Sequence, residues 1–259
     1  MINKQDIARS FGRVAHCYDQ FAHFQQQVGR HLLTLLPEGK CRRVIDLGCG
    51  TGYFCQPLRS RYPGSEYVGI DLAEAMVHRA GRLHQANLAG FVVGDMEALP
   101  LNNASCDRIY INLALQWSRN LPQTLAELRR VVTDNGVIAI ATLGPQTLIE
   151  LRQAWGQVDR KVHVNDFVAK TRLLSLVEQA GFDWHCEEII EELQYSQILD
   201  LMRDLKGIGA HNLNQGRALG LTGKGRLTRL QQSYEGYRLD NGMLPARYQL
   251  YYLVLSPAR

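Results

Sequence analysis

Val44-Ile45-Asp46-Leu47-Gly48-Cys49-Gly50-Thr51-Gly52 passes from a short apolar run into a turn with glycine at every second position, and a helical pattern over 53–61 follows. A buried strand leading into such a turn and a helix puts bare backbone at the carboxyl edge of a sheet, where open α/β sheets bind ligands. Outward from this stretch, β-rich runs recur at Tyr67-Val68-Gly69-Ile70, Phe91-Val92-Val93, Arg108-Ile109-Tyr110-Ile111 and Val137-Ile138-Ala139-Ile140-Ala141, with helical patterns at 74–86 and 120–131. That alternation predicts a parallel sheet with helices on its faces. Asp134-Asn135-Gly136 reads as a turn between the last of these helices and the fifth strand. Beyond it, 167–180 reads as an amphipathic helix stopped by Gly181, and 184–193 and 247–255 as two further strands. An insertion, 194–246, separates those strands, helical at 196–206 and 225–236, and residues 3–36 form helices with no strand partner.

The chain has 259 residues, 46% of them apolar, with no run of the ~18 apolar residues that a membrane span needs. The start Met1-Ile2-Asn3-Lys4-Gln5-Asp6 is polar and lacks the pattern of a secretory signal, so a cytoplasmic protein is expected. Six cysteines form no CxxC and no zinc-ligand spacing with the histidines, which favours free thiols and no metal. Residues 197–259 carry nine Lys/Arg against four Asp/Glu, a net of +5, while residues 1–196 carry twenty against twenty-one, a net of −1. The basic excess is confined to the C-terminal quarter, where an acidic partner is expected.

The glycines at 48, 50 and 52 do not make a dinucleotide fingerprint, whose third glycine would fall at Tyr53, and no P-loop pattern occurs. A pyrophosphate site is therefore disfavoured. Asp71, at the end of the second strand and nineteen residues past Gly52, is placed to accept hydrogen bonds from ribose hydroxyls. After the third strand, Gly94-Asp95-Met96-Glu97 offers an acid for an adenine amino group and an apolar side chain for its ring. Each aspartate alone reads as readily as a helix cap. Together, and in this order, they suit adenosine without phosphates.

Val44 to Gly52, Asp71, Asp95 and Asn112 resemble the cofactor motifs of class I S-adenosylmethionine-dependent methyltransferases. The resemblance implies that the loop with Asp46, Gly48, Gly50 and Gly52 passes under the amino-acid part of the cofactor. It further implies that Asp71 binds ribose, Asp95 with Met96 binds adenine, and Asn112 lines the methyl-transfer gap. The expected architecture is α/β, a Rossmann-like seven-stranded, mostly parallel sheet with its last strand antiparallel. Residues 1–40 would form a helical cover, 41–193 and 247–259 the core, and 194–246 a helical substrate lid.

The fourth strand is followed by Asn112-Leu113-Ala114-Leu115-Gln116-Trp117, not the Asn/Asp-Pro-Pro-aromatic motif of base N-methylation, and no cysteine follows a proline as cytosine chemistry requires. A finer resemblance, over nearly the whole chain, is to the malonyl-acyl-carrier-protein O-methyltransferases of biotin synthesis. It rests on Phe11 to Ala15 with Tyr18 and Gln25, on 112–117, on Glu150 to Trp155 with His163-Val164-Asn165, and on Leu201 to Ala210. It implies methyl transfer to the free carboxylate of a malonyl thioester on acyl carrier protein, with Gln25 among the cofactor contacts, and neither nucleic acid nor membrane as partner.

A carboxylate is already ionised at neutral pH, so no general base is required. Neutral positioning groups, Tyr18, Gln116 and Trp117, are expected at the attacking oxygen, with Arg203, Lys206 and His163 as candidates for binding the acceptor. Arg203 reads equally as a surface partner of Asp200, and His163 as a hydrogen-bonded structural residue. Arg217, Lys224, Arg226 and Arg229 are candidates for docking the carrier. The sequence leaves open methylation of another small carboxylate or a quinone-like carbon, an RNA methyltransferase, and a non-catalytic cofactor-binding assembly factor.

Overall fold

The computed structural model describes residues 3–85, 90–210 and 223–258. Its strands are β1 (Arg43–Leu47), β2 (Glu66–Asp71), β3 (Gly90–Val93), β4 (Cys106–Asn112), β5 (Val132–Leu143), β6 (Phe182–Tyr195) and β7 (Leu244–Pro257). They form one sheet in the order β3-β2-β1-β4-β5-β7-β6. β1 to β5 pair in parallel, and β7 lies antiparallel between β5 and β6, as the sequence predicts. The order reverses between β1 and β4, which opens a crevice at their carboxyl ends.

The central strands are buried because helices cover both faces, and successive residues feed opposite cores. Ile109, Ile111, Ile138 and Ile140 pack with Leu125 and Leu128 of α6 (Leu121–Val131) and with Leu173 and Val177 of α8 (Lys170–Gln179). Tyr110, Ala139 and Ala141 face the other way, onto Val28 and Leu32 of α3 (His23–Leu35) and Leu58 of α4 (Cys55–Arg61). Two shorter elements complete the amino-terminal cover, α1 (Lys4–Val14) and α2 (Tyr18–Phe21), and α1 rests on α5 (Glu74–Leu83).

Three details differ from the sequence expectation. Asp134-Asn135-Gly136 lies inside β5 rather than ahead of it: Val132 pairs with Cys106 and Val137 with Arg108, so the strand absorbs the turn as a bulge. The helix expected over 167–180 begins only at Lys170, because Ala169 is extended (φ −67°, ψ 146°), and Phe167 is freed to line a cavity. A helix not predicted, α7 (Ile149–Val158), buries Leu151, Ala154, Trp155 and Val158, a spacing of three and four that was present in the sequence.

β6 and β7 end as a ladder whose last pair is Tyr195 and Leu244. Between them stand α9 (Ile198–Gly207) and α10 (Lys224–Glu235). α10 packs on α7, with Leu230 and Tyr234 fully buried and the Tyr234 hydroxyl donating to the Pro245 carbonyl at 2.8 Å. No described helix is long and apolar enough to cross a membrane.

Candidate active site

The turn after β1 is built from glycines in the left-handed region: φ is +76° at Gly48, +54° at Gly50 and +78° at Gly52. At Gly48 a Cβ would also come within 2.3 Å of the Ala114 Cβ, so the turn lies tight against the segment after β4. A Cβ on Gly50 would meet nothing within 4 Å, and that residue lines a cavity instead. The loop's amides are already used. Gly48 and Cys49 N–H donate to the Ile70 carbonyl (2.7 and 3.1 Å), Gly50 N–H to Asp71 Oδ2 (2.9 Å) and Gly52 N–H to the Cys49 carbonyl (2.9 Å). Such a loop has few amides left to cradle a phosphate.

The cavity spans about 720 Å³ when the space at its open mouth is included. Asp71 supplies its polar wall at the end of β2. Oδ1 accepts from Ala73 N–H at 2.8 Å and Oδ2 from Gly50 N–H, so the side chain caps the following turn while fixing the loop, and each oxygen keeps capacity for a second donor. Burial raises the Asp71 pKa, and the backbone N–H groups oppose that shift. After β3, Asp95 Oδ1 accepts from Glu97 N–H at 2.9 Å, and Lys4 reaches in from α1. Ile70, Leu72, Met76, Met96, Ile7 and Phe11 supply apolar surface. Paired acids with flanking apolar walls suit a nucleoside.

A second cavity, of about 560 Å³, shares Phe11, Tyr18, Leu113 and Trp117 with the first. Its remaining wall includes Gln25, Gln116, Asn165, Phe167 and Tyr248 from the body of the fold and Leu205, Ile208 and Ala210 from α9 and its exit. Leu113, at the junction, has φ +50°, a conformation that costs a non-glycine residue energy and is held here by its N–H bond to the Ala141 carbonyl at 2.9 Å. Next to it, Asn112 Nδ2 donates to the Gln25 carbonyl at 2.9 Å. Gln25 Oε1 and Asn112 Oδ1 are buried and accept no hydrogen bond from the protein. Asn112, on the first cavity, and Gln25, on the second, thus each keep an acceptor that a ligand donor could satisfy.

Tyr18 is kept neutral, its pKa raised by burial and then by the charges of Asp71 and Asp19. Gln116 Nε2 donates to the Leu113 carbonyl at 2.7 Å, and Trp117 meets Phe11 edge-on at 5.2 Å between centroids. Tyr18, Gln116 and Trp117 therefore converge on the second cavity, and Gly48, Gly50, Asp71, Asp95, Met96 and Asn112 on the first. Gln25, expected at the cofactor, lines the second cavity. Asp46 lies beneath the loop, 3% exposed, held by the Tyr67 hydroxyl at 2.9 Å, and burial pushes its carboxyl up to about 7. Gly52 faces away as well, toward His84 and Phe91.

Three expected acceptor contacts do not reach the cavity. α9 turns Ile198, Leu201, Leu205 and Ile208 inward, so Arg203 and Lys206 fall on the outer side, where Arg203 pairs with Asp200 at 2.7 Å. His163 stacks on Trp155 at 3.7 Å and bonds Asp159 at 2.8 Å, a structural place. Asp159 also pairs with Arg226 of α10, and its carboxyl, held by these partners, is lowered to about 2. Of the docking candidates, Arg229 is exposed, while Arg217 and the side chain of Lys224 lie outside the described residues. Sequence reading missed Lys4, Phe167 and Tyr248, for which no motif gave a signal.

A model of the methyltransferase domain matches residues 45–140. The chain is 38% identical over 255 residues to the malonyl-acyl-carrier-protein O-methyltransferase of Hahella chejuensis, covering 98% of this chain and 91% of that one. The chain belongs to that family. The chain is also 44% identical, over 258 residues, to the biotin biosynthesis bifunctional protein BioHC of Cellvibrio japonicus, a match that covers 98% of this chain but 50% of that longer protein. Its fold matches a putative methyltransferase from Bacillus halodurans with a TM-score of 0.63 at 15% identity, over 89% of this chain and 98% of that one.

Proposed function

We propose that this methyltransferase esterifies the free carboxylate of a malonyl group carried as a thioester on acyl carrier protein, with S-adenosylmethionine as donor. One observation carries the choice of acceptor. Among the described residues, the second cavity is lined by no Asp, Glu, His, Lys, Arg or Cys. A hydroxyl, or an amine protonated at neutral pH, would need a base to take its proton, whereas a carboxylate is ionised at neutral pH and needs only to be desolvated and aligned. The relatives' names support the same reading.

The donor supplies, when bound, an electrophilic sulfonium methyl that the carboxylate oxygen takes while the C–S bond pair returns to sulfur. Asp71 would hold the ribose hydroxyls, Asp95 the adenine amino group, and Gln25 Oε1 with Asn112 Oδ1 the ammonium. Tyr18, neutral and at the junction of the cavities, would donate to the acceptor and steer one oxygen toward the first cavity. Phe11, Leu113 and Trp117 would exclude water there, which raises the reactivity of an oxygen not bound by a cation. The acidic carrier would dock on the basic C-terminal quarter, in the cytoplasm, with 194–246 as the lid over the acyl group.

The test is transfer of labelled methyl to malonyl-acyl carrier protein beside acetyl- and succinyl-carrier controls, with mass detection of the ester. Ester on malonyl alone is the expected result. Donor binding without transfer to any carrier-bound acid would overturn the reading in favour of a non-catalytic binding protein or a different acceptor.

A further inference from the structure

Tyr18 stands on α2, a single helical turn with no side-chain cap at Cys17, whose residues are half-buried or exposed. A turn this short does not sustain itself, so its position depends on ties to neighbours. One is Thr51, whose hydroxyl donates to Asp19 Oδ1 at 2.6 Å. Thr51 is 2% exposed and lies inside the glycine loop, between Gly50 and Gly52. Gln26 Nε2 donates to the Asp19 carbonyl at 3.3 Å, which binds the same residue to the segment carrying Gln25. On the far side, the Phe21 ring abuts Gly207 of α9 so closely that a Cβ there would fall 2.3 Å from it. α2 is thus held between the glycine loop and the insertion, with Tyr18 facing both cavities.

We infer that Thr51 and Asp19 form a positioning pair, through which the glycine loop sets Tyr18 at the junction of the two cavities and couples donor loading to acceptor alignment. This rests on the proposed methyl transfer. Thr51 lines neither cavity. A short hydroxyl-to-carboxylate bond is the strong kind, and its loss leaves the loop backbone intact while α2 drifts. The pair therefore governs turnover more than donor affinity.

The test compares Thr51→Val, Thr51→Ser and Asp19→Asn with the unaltered protein. S-adenosylhomocysteine affinity is measured by calorimetry, and hydrogen exchange over residues 18–26 is followed with and without that ligand. Thr51→Val is expected to bind the ligand within about threefold of the parent, to lose the ligand-induced protection of 18–26, and to lower kcat on malonyl-carrier roughly tenfold or more. Thr51→Ser, which keeps the hydroxyl, restores both, and Asp19→Asn, altering the other partner, reproduces the loss in part. Unchanged protection and kcat in Thr51→Val, or an affinity loss that accounts for the whole fall in kcat, would overturn the inference. Should the parent fail to methylate malonyl-carrier, the proposed acceptor is wrong, and the exchange measurement still decides the role of the pair.

Discussion

Lys4 Nζ lies 2.5 Å from Asp95 Oδ2, joining the first turn of α1 to the acid that follows β3. The same ammonium reaches Glu97 Oε2 at 2.6 Å, and Glu97 in turn accepts the N–H groups of Arg119 and Asn120 ahead of α6. Because Ile7 and Phe11 line the first cavity from the same helix, this link ties that wall to the Asp95 end of the cavity. Lys4→Met should keep the fold and release donor roughly two- to tenfold faster, the scale of a part-exposed ion pair. Stopped-flow displacement would measure it, and an unchanged release rate would mean that the wall is held by packing alone.

Asn112→Leu keeps volume and removes an acceptor oxygen that is buried without a partner, at the cost of the Nδ2 bond to Gln25. Its stability without ligand should change by about 1 kcal/mol or less. The rise in melting temperature on adding S-adenosylhomocysteine should shrink, with affinity down roughly tenfold or more. Equal ligand-induced shifts in variant and parent would remove Asn112 from the donor site.

Asp46 gives stability an unusual slope with pH. Its native carboxyl keeps the proton up to about pH 7, whereas an unfolded aspartate releases it near ~3.9, so the folded state binds the extra proton between those values. Its contribution is complete below the lower value and is lost as pH rises toward 7. Urea midpoints measured from pH 5 to 8 should therefore fall less steeply in Asp46→Asn than in the parent. Parallel curves would show that the buried carboxyl titrates normally.

Arg203→Ala should leave the turnover of malonyl-carrier within about twofold of the parent, since the side chain is exposed and paired with Asp200 outside the second cavity. Initial rates at saturating and limiting acceptor would check it. A selective rise in KM would return Arg203 to the acceptor site.

The first cavity was legible in the sequence, Lys4 apart, because its strand-end polar groups have local causes. Glycine spacing forces the turn, and Asp71 and Asp95 stand where strands end. The second cavity was legible only in part. Tyr18, Gln116, Trp117 and Leu205 fall in quoted motifs, but Phe167 and Tyr248 meet them there through tertiary packing that no short pattern encodes. Arg203 and Lys206 were misplaced for a physical reason: their charge drew them toward an anionic substrate, while the helix phase set by Leu201, Leu205 and Ile208 turns them to solvent. α7 escaped although its apolar spacing was present, with Gly144-Pro145 ahead of it and Gly156 within it.

The chain leaves β6 at Tyr195 and returns to β7 at Leu244, two residues that are paired neighbours in the sheet. Whatever lies between them hangs from a closed rung, and its two ends stay fixed whatever its length or sequence. The glycine loop, by contrast, is wedged against Ala114 and Phe91 and tolerates little change. Such a division allows the segment after Tyr195 to change without disturbing the glycine turn. Because α10 is buried on α7, a graft of residues 196–243 between relatives would have to carry the facing side of α7 with it to keep that packing.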